Sequence, residues 1–224
     1  QVMIIEDTSN PENFKISMYN SDGTETGACG NGSRCVASYL MNKNSLNSLT
    51  LETMSGDLKC FKSNNLVTVN MGKPKFKWTD IPLSKDIDPQ KVKLSNFDAF
   101  CLSMGNPHAV VFSENLEELE SLDLNAVGPK LEKHSIFPEF ANIEFACVIN
   151  DGSIRMRVWE RGVGTTLACG SGACATLVAA SVLNKSPKEN KIILDGGDLF
   201  VNWINDESVT LTGDVETVFE GTVG

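Results

Sequence analysis

Taken as alternating hydrophobic and polar positions, the chain is punctuated like a β-rich protein. Asn64-Asn65 separates the runs 58–61 and 66–70, a short hairpin signal. Asn150-Asp151-Gly152 joins 143–149 to 154–159. In the second arm Ile154, Met156 and Val158 fall on one face of a strand, Arg155 and Arg157 on the other. Asp195-Gly196-Gly197-Asp198 and Asn205-Asp206 mark a meander through 191–194, 199–204 and 208–211. Between 73 and 89 the alternation lapses into Pro, Lys and Asp, which predicts a crossover between domains.

Helical signals are fewer. Positions 33–41 and 171–183 carry small and apolar residues nearly all the way round, which predicts two helices surrounded by protein. Asn42-Lys43-Asn44 and Asn184-Lys185-Ser186-Pro187 stop them. A third helix, 116–122, is acidic and amphipathic and reads as a solvated face. Gln1-Val2-Met3-Ile4-Ile5 reads as the middle of a buried strand without an initiator Met, so residues are expected to precede it.

Composition narrows the class. A chain of 224 residues allows one large domain or two of about 110 residues, and either size can bury a core without disulfide or metal staples. The formal charge of −10 argues against nucleic acid or an anionic membrane as partner. No run of 18 apolar residues is present, and no charged-then-apolar leader opens the chain, so the expected location is cytoplasmic. Seven cysteines, an odd number, cannot form a fully paired framework and are expected as thiols.

Two of those cysteines stand in a repeat. Ala28-Cys29-Gly30-Asn31-Gly32 opens the first apolar helix, and Ala168-Cys169-Gly170-Ser171-Gly172 opens the second, 140 positions later. Met18-Tyr19-Asn20 lies over Val158-Trp159-Glu160 at the same offset, without a gap. Such self-similarity predicts duplication: two similar domains of mixed α/β class (α+β by content), each a curved sheet with one buried helix.

The chemistry of that phrase is specific. Free N–H groups at a helix start bind anions, and glycine lets the backbone approach a ligand closely. The same positive end favours a thiolate. One such motif is more often packing. Two copies in matched contexts, facing each other across a pseudo-twofold axis, make a two-base site: one thiolate removes a proton from a carbon and the other thiol returns one to the opposite face. His108, in Ser103-Met104-Gly105-Asn106-Pro107-His108, and Glu160, before Arg161, are suited to move a thiol's proton. Asn20, Asn106 and Asn142 offer neutral hydrogen bonds to ammonium and carboxylate groups.

The phrases Tyr19-Asn20-Ser21-Asp22-Gly23 with Ala28-Cys29-Gly30-Asn31-Gly32-Ser33-Arg34-Cys35, then Met104-Gly105-Asn106-Pro107-His108, then Trp159-Glu160-Arg161-Gly162-Val163-Gly164 with Ala168-Cys169-Gly170-Ser171-Gly172, resemble the diaminopimelate epimerases from Gln1 to Glu220-Gly221. The resemblance implies a cofactor-independent isomerase that interconverts LL- and meso-2,6-diaminopimelate on the route to lysine and peptidoglycan. It implies two pseudo-symmetric domains, 1–73 with 214–224 and 74–213, each a curved sheet or barrel round a central helix. Carried over by motif, Cys29 and Cys169 are the paired acid and base, with His108 and Glu160 as proton partners. Gln1, Asn20, Asn106, Asn142 and Arg161 hold the substrate, Arg161 clamping the distal carboxylate. Backbone groups at Gly30-Asn31 and Gly170-Ser171 take the α-carboxylate. No metal or cofactor is expected, and a homodimer is a possible assembly. The family's opening strand and Gly-Asn-Asp-Phe turn have no counterpart in this sequence.

Two rivals stand beside this reading. Proline racemase-like enzymes use the same two-thiol logic, but the Glu160-Arg161-Gly162 and Gly105-Asn106-Pro107-His108 phrases disfavour them. A structural zinc protein would use Cys29, Cys35, Cys169 and Cys174. Against it, Cys35 and Cys174 fall inside the helices and do not align under the repeat.

Overall fold

The computed structural model describes residues 1–19, 23–27 and 29–222, without the side chains of Thr26 and Ser63. It divides into two compact units, one of Gln1–Asn70 with the stretch from Thr212 onward, the other Met71–Leu211.

The first unit runs β1 (Val2–Asp7), β2 (Asn13–Tyr19), β3 (Glu25–Thr26), α1 (Gly30–Lys43), β4 (Ser48–Thr53), β5 (Gly56–Ser63) and β6 (Leu66–Asn70). Its strands lie in the order β1-β2-β4-β5-β6, with β3 beside β2. Period-2 alternation builds β2: Phe14, Ile16 and Met18 are buried, whereas Lys15 between them is exposed. β2 and β4 run parallel, Phe14 opposite Leu51, so the chain must cross over between them. α1 makes that crossover and buries Val36, Ala37, Leu40 and Met41 against β4, β5 and β6. Cys35 and Tyr39 face solvent. The expectation of a helix surrounded by protein fails here, because α1 covers a single sheet face and needs only one apolar stripe. Among the described residues β1 pairs with β2 alone, and Val2 and Ile4 are exposed.

The second unit begins with 71–88, which has neither helix nor strand. The boundary between the units falls just before the crossover expected over 73–89, and within that stretch Ile81 and Leu83 are buried in the second unit's core. There follow β7 (Val92–Leu94), β8 (Phe97–Ser103), β9 (Pro107–Phe112), α2 (Leu116–Ser121), α3 (Leu124–Glu132), β10 (Asn142–Val148), β11 (Ile154–Glu160), β12 (Gly164–Thr166), α4 (Gly170–Val182), β13 (Glu189–Leu194) and β14 (Gly197–Trp203). The strand order is β14-β13-β11-β10-β9-β8-β7, with β12 beside β11. A final strand, β15 (Val209–Asp214), has its first three residues in this unit and the rest in the first.

α4 meets the expectation that α1 does not. Every residue from Gly170 to Ala180 is buried, and the helix packs against β8, β9, β10, β11, β13 and β14. A second core, with Leu119, Leu124, Leu131 and Phe137 from the α2–α3 side, packs against Ile143 and Phe145. Strand alternation therefore sends Ile143 and Phe145 to one face of β10, and Asn142 and Glu144 to the other. The arginine face of β11 is not simply solvated: Arg157 donates to the carbonyls of Leu119, Glu120 and Leu122 at the end of α2.

The repeat is visible in topology. β2-β3-α1-β4-β5 and β11-β12-α4-β13-β14 have the same order and the same pairings, antiparallel, then parallel across the helix, then antiparallel. The register matches at the offset of the sequence repeat: Met18 opposes Thr26, and Val158 opposes Thr166.

Candidate active site

Each repeated cysteine is the N-cap of its helix. Cys29 has extended backbone angles of φ −149° and ψ 100°, and Cys169 of φ −129° and ψ 112°. In both, the sulfur accepts a hydrogen bond from the amide three residues on, at 3.3 Å from Gly32 N and 3.3 Å from Gly172 N. The thiol thus takes the capping position usually held by Ser, Asp or Asn. The residue two before each cysteine is tied to the hairpin turn that follows the helix. Thr53 Oγ1 donates to the Gly27 carbonyl at 3.2 Å, and Gly196 N donates to the Leu167 carbonyl at 2.7 Å.

The second glycine of each motif leaves room that something else fills. A Cβ on Gly32 would lie 2.0 Å from Met3 Cε; one on Gly172 would lie 2.8 Å from Glu144 Oε1 and 3.2 Å from Cys169 Sγ.

In the first unit Cys29 is half-buried and Gly30 buried. Asn31 Oδ1 accepts from Arg34 Nη1 at 3.0 Å. Gln1 is exposed at the start of the chain. Asn20 lies outside the described residues.

The second unit gathers most of the remaining candidates. Cys169 is buried, with Ser171 Oγ 3.6 Å from its sulfur. Asn106 Nδ2 donates to that hydroxyl at 3.4 Å. Asn106 Oδ1 stands 2.9 Å from His108 Nε2. His108 is completely buried within β9, opposite Asn142 in the parallel pair with β10. Asn142 donates to the Pro107 carbonyl at 3.0 Å and accepts from Arg161 N at 2.9 Å, which fixes the turn after β11. The Arg161 guanidinium donates to the Glu139 carbonyl at 3.2 Å. Glu160 accepts a hydrogen bond from the Thr166 hydroxyl.

Burial pushes the Cys169 thiol well above its ordinary value, and the Glu160 and Glu144 carboxylates push it further; the Ser171 hydroxyl and Gly172 amide oppose them. Burial also raises the Glu160 carboxyl, opposed by the Thr166 hydrogen bond. At neutral pH Cys169 is accordingly a protonated thiol, able to donate.

Two residues of this unit escaped sequence reasoning. Glu144 is completely buried, and its Oε1 lies 2.7 Å from His108 Nδ1. Its signal was a lone acid inside the apolar run of 143–149. Glu132, also buried, accepts from Trp159 Nε1 at 2.7 Å and from Gly162 N at 2.8 Å, gripping the Glu160-Arg161-Gly162 turn from behind. Gly128 lets α3 lie directly on the Trp159 ring, since a Cβ there would come within 2.4 Å of it. Among the described residues no group of three or more His, Cys, Asp or Glu is placed to hold a metal ion. None of the described helices is long and apolar enough to cross a membrane.

The fold recurs in solved structures. A phenazine-biosynthesis PhzC/PhzF protein of Clostridium difficile superposes with a TM-score of 0.71 at 14% identity, over 99% of this chain and 82% of that one. A hydroxyproline epimerase of Agrobacterium vitis gives 0.62 at 14%, over 95% and 71%. These likenesses define the class by fold: a duplicated α/β architecture shared with PhzF-type proteins and an amino-acid epimerase.

Sequence narrows it to one family. The family model described as diaminopimelate epimerase matches residues 1–77 and 100–218. The diaminopimelate epimerase of Rhodospirillum centenum is 44% identical over 226 residues, 99% of this chain and 77% of that protein. That of Carboxydothermus hydrogenoformans is 40% identical over 220 residues, 95% and 79%. The chain belongs to the diaminopimelate epimerase family.

Proposed function

We propose that the protein interconverts LL- and meso-diaminopimelate without a cofactor, using Cys29 and Cys169 as a two-base pair. The observation that carries the proposal is the repeated thiol cap: the same Cys-Gly-x-Gly start, with the same sulfur–amide hydrogen bond of 3.3 Å, in both units of a family member.

The chemistry balances without an oxidant or metal. One thiolate takes the α-proton, the electron pair stays on the carbon beside its carboxylate, and the opposite thiol delivers a proton to the other face. The net result is one inverted carbon and exchanged protonation between the two sulfurs. Burial and two carboxylates keep Cys169 protonated, so in the first turnover it donates and Cys29 takes the proton. His108 and Glu160 return the thiols to their starting states. Amides at Gly30-Asn31 and Gly170-Ser171 bind the α-carboxylate at two helix starts. Asn20, Asn106, Asn142 and Gln1 hold the polar ends, and Arg161 pairs with the distal carboxylate. The setting is cytoplasmic lysine and peptidoglycan-precursor synthesis, with the chain acting as a homodimer.

Proton NMR of LL-diaminopimelate in heavy water with the purified protein tests this. The α-proton signal should wash out while the meso form appears. Exchange into proline with none into diaminopimelate would overturn it in favour of a proline racemase-type activity.

A further inference from the structure

Glu144 neither moves a proton nor binds substrate in the scheme above, yet it sits where its presence is hardest to explain as packing. It is completely buried in β10, an otherwise apolar strand except for Asn142. Removing a carboxylate from water is strongly unfavourable unless it is paired. Its Oε1 is paired, with His108 Nδ1 at 2.7 Å, whereas its Oε2 meets no donor among the described residues. The Gly172 position is kept free of a side chain at the point where this carboxylate meets the cap of α4.

The ring of His108 stands between two oxygens. Asn106 Oδ1 lies 2.9 Å from Nε2, and Glu144 Oε1 lies 2.7 Å from Nδ1. The Asn106 amide lies with its NH2 group toward Ser171 Oγ, to which it donates at 3.4 Å, and its oxygen toward His108. An amide oxygen only accepts, so Nε2 carries a proton. The contact of 2.7 Å on the other side needs a second proton between Nδ1 and the carboxylate. Of the two net-neutral pairs with one shared proton, imidazolium with carboxylate and imidazole with carboxylic acid, the first leaves both ring nitrogens protonated. A neutral ring beside an ionised Glu144 would turn a bare Nε2 on the Asn106 oxygen, two acceptors at 2.9 Å.

From this pair the contacts continue without a break. Asn106 Nδ2 reaches Ser171 Oγ at 3.4 Å, and Ser171 Oγ is 3.6 Å from Cys169 Sγ. We propose that Glu144 is a positioning residue for the second-unit thiol: it keeps the shared proton on His108, fixes the ring, and through Asn106 and Ser171 sets the hydroxyl that faces Cys169. The inference rests on the reading of Cys169 as one of the two acid–base groups.

The test combines spectroscopy and kinetics. The protein has two histidines, so H134N leaves His108 as the only imidazole. An Asn at that position keeps an acceptor for the Ile136 amide that His134 Nδ1 now serves. Nitrogen-15 NMR of H134N should show both ring nitrogens of His108 bearing hydrogen-bonded protons, with the Nδ1 proton far downfield. E144Q should lose the downfield proton and lower kcat for diaminopimelate about 10- to 100-fold with KM changed less than about twofold. E144D, which keeps the carboxylate but shortens its reach, should recover part of kcat. A bare Nε2 or Nδ1 in H134N overturns the proposal even if E144Q does not fold, and so does an E144Q enzyme with unchanged kcat. If instead H134N shows both protons but the parent protein exchanges no α-proton of diaminopimelate, the proposed reaction fails and the His108–Glu144 pairing stands.

Discussion

The two helix starts share a geometry and differ in everything that surrounds it. Both Cys29 and Cys169 cap a helix with sulfur at 3.3 Å from an amide, and both follow a two-stranded antiparallel turn in the same register. Around Cys29, the space that a Gly32 side chain would occupy holds the methyl of Met3, and the helix shows one side to solvent. Around Cys169, the corresponding space holds the Glu144 carboxylate, the helix is buried throughout its first eleven residues, and Ser171, Asn106 and His108 form a continuous polar chain. Duplication preserved the sulfur cap in both units. Divergence set the electrostatics around Cys169, a thiol that burial and two carboxylates hold protonated.

The largest effect that would expose this difference comes from alanine at the two motif glycines. Gly172→Ala pushes a methyl into Glu144 Oε1 and Cys169 Sγ, both fixed by burial and hydrogen bonds, and should lower kcat about 100-fold and stability by about 1–3 kcal/mol. Gly32→Ala meets its own cap sulfur much as Gly172→Ala does, Cys29 Sγ at 3.3 Å, but its closest neighbour is the flexible end of a half-buried Met3 instead of a buried carboxylate, and it should cost less than about tenfold. Steady-state rates and thermal melts of the two variants decide it. Equal losses would mean that the two environments are equivalent in function.

A smaller effect is expected in thiol chemistry. Cys29 is half-buried, whereas Cys169 is buried with its thiol held up, and alkylation proceeds through the thiolate. Peptide mass spectrometry after brief iodoacetamide treatment should find Cys29 modified at least about ten times faster than Cys169. The reverse order would show that Cys169 is the more ionised thiol, contrary to the burial argument.

The motif cysteines were legible in sequence because a repeat of five residues in matched context is visible without any contact map. So were the turns at Asn64-Asn65, Asn150-Asp151-Gly152 and Asp195-Gly196-Gly197-Asp198, since each needs residue types that tolerate unusual backbone angles; Asn64 has φ 55° and Gly152 φ 85°. α4 was legible and α1 was not. Both read as apolar on every side, but what a helix buries depends on how many strands surround it, and that number is a tertiary property. Glu144 and Glu132 were missed because periodicity reports which face a residue takes, not what it meets there. A glutamate between Ile143 and Phe145 is on the opposite face from both, and only the packing of α4 against β10 makes that face a site.

The effect furthest from catalysis concerns stability at alkaline pH. Burial raises the Cys60 thiol to about 12 and also lifts Cys101 and Cys169. Unfolded thiols lose their protons from about pH 8.5, while the folded ones keep theirs, so the unfolded state binds fewer protons and stability falls as pH rises. The slope approaches about 1.4 kcal/mol per pH unit for each such group. C60A and C101A should each flatten the decline in melting temperature between pH 8 and 10. An unchanged slope in the double variant would remove these thiols from the explanation.

The central claim is that one thiol from each repeat acts on a single carbon, and α-proton exchange in the single-cysteine variants tests it most directly. Wild-type, C29A and C169A proteins would be incubated with LL-diaminopimelate in heavy water, with circular dichroism confirming that each is folded. The two-base account predicts that epimerisation falls at least about 1,000-fold in both variants. Full conversion to the meso form by either variant would contradict it.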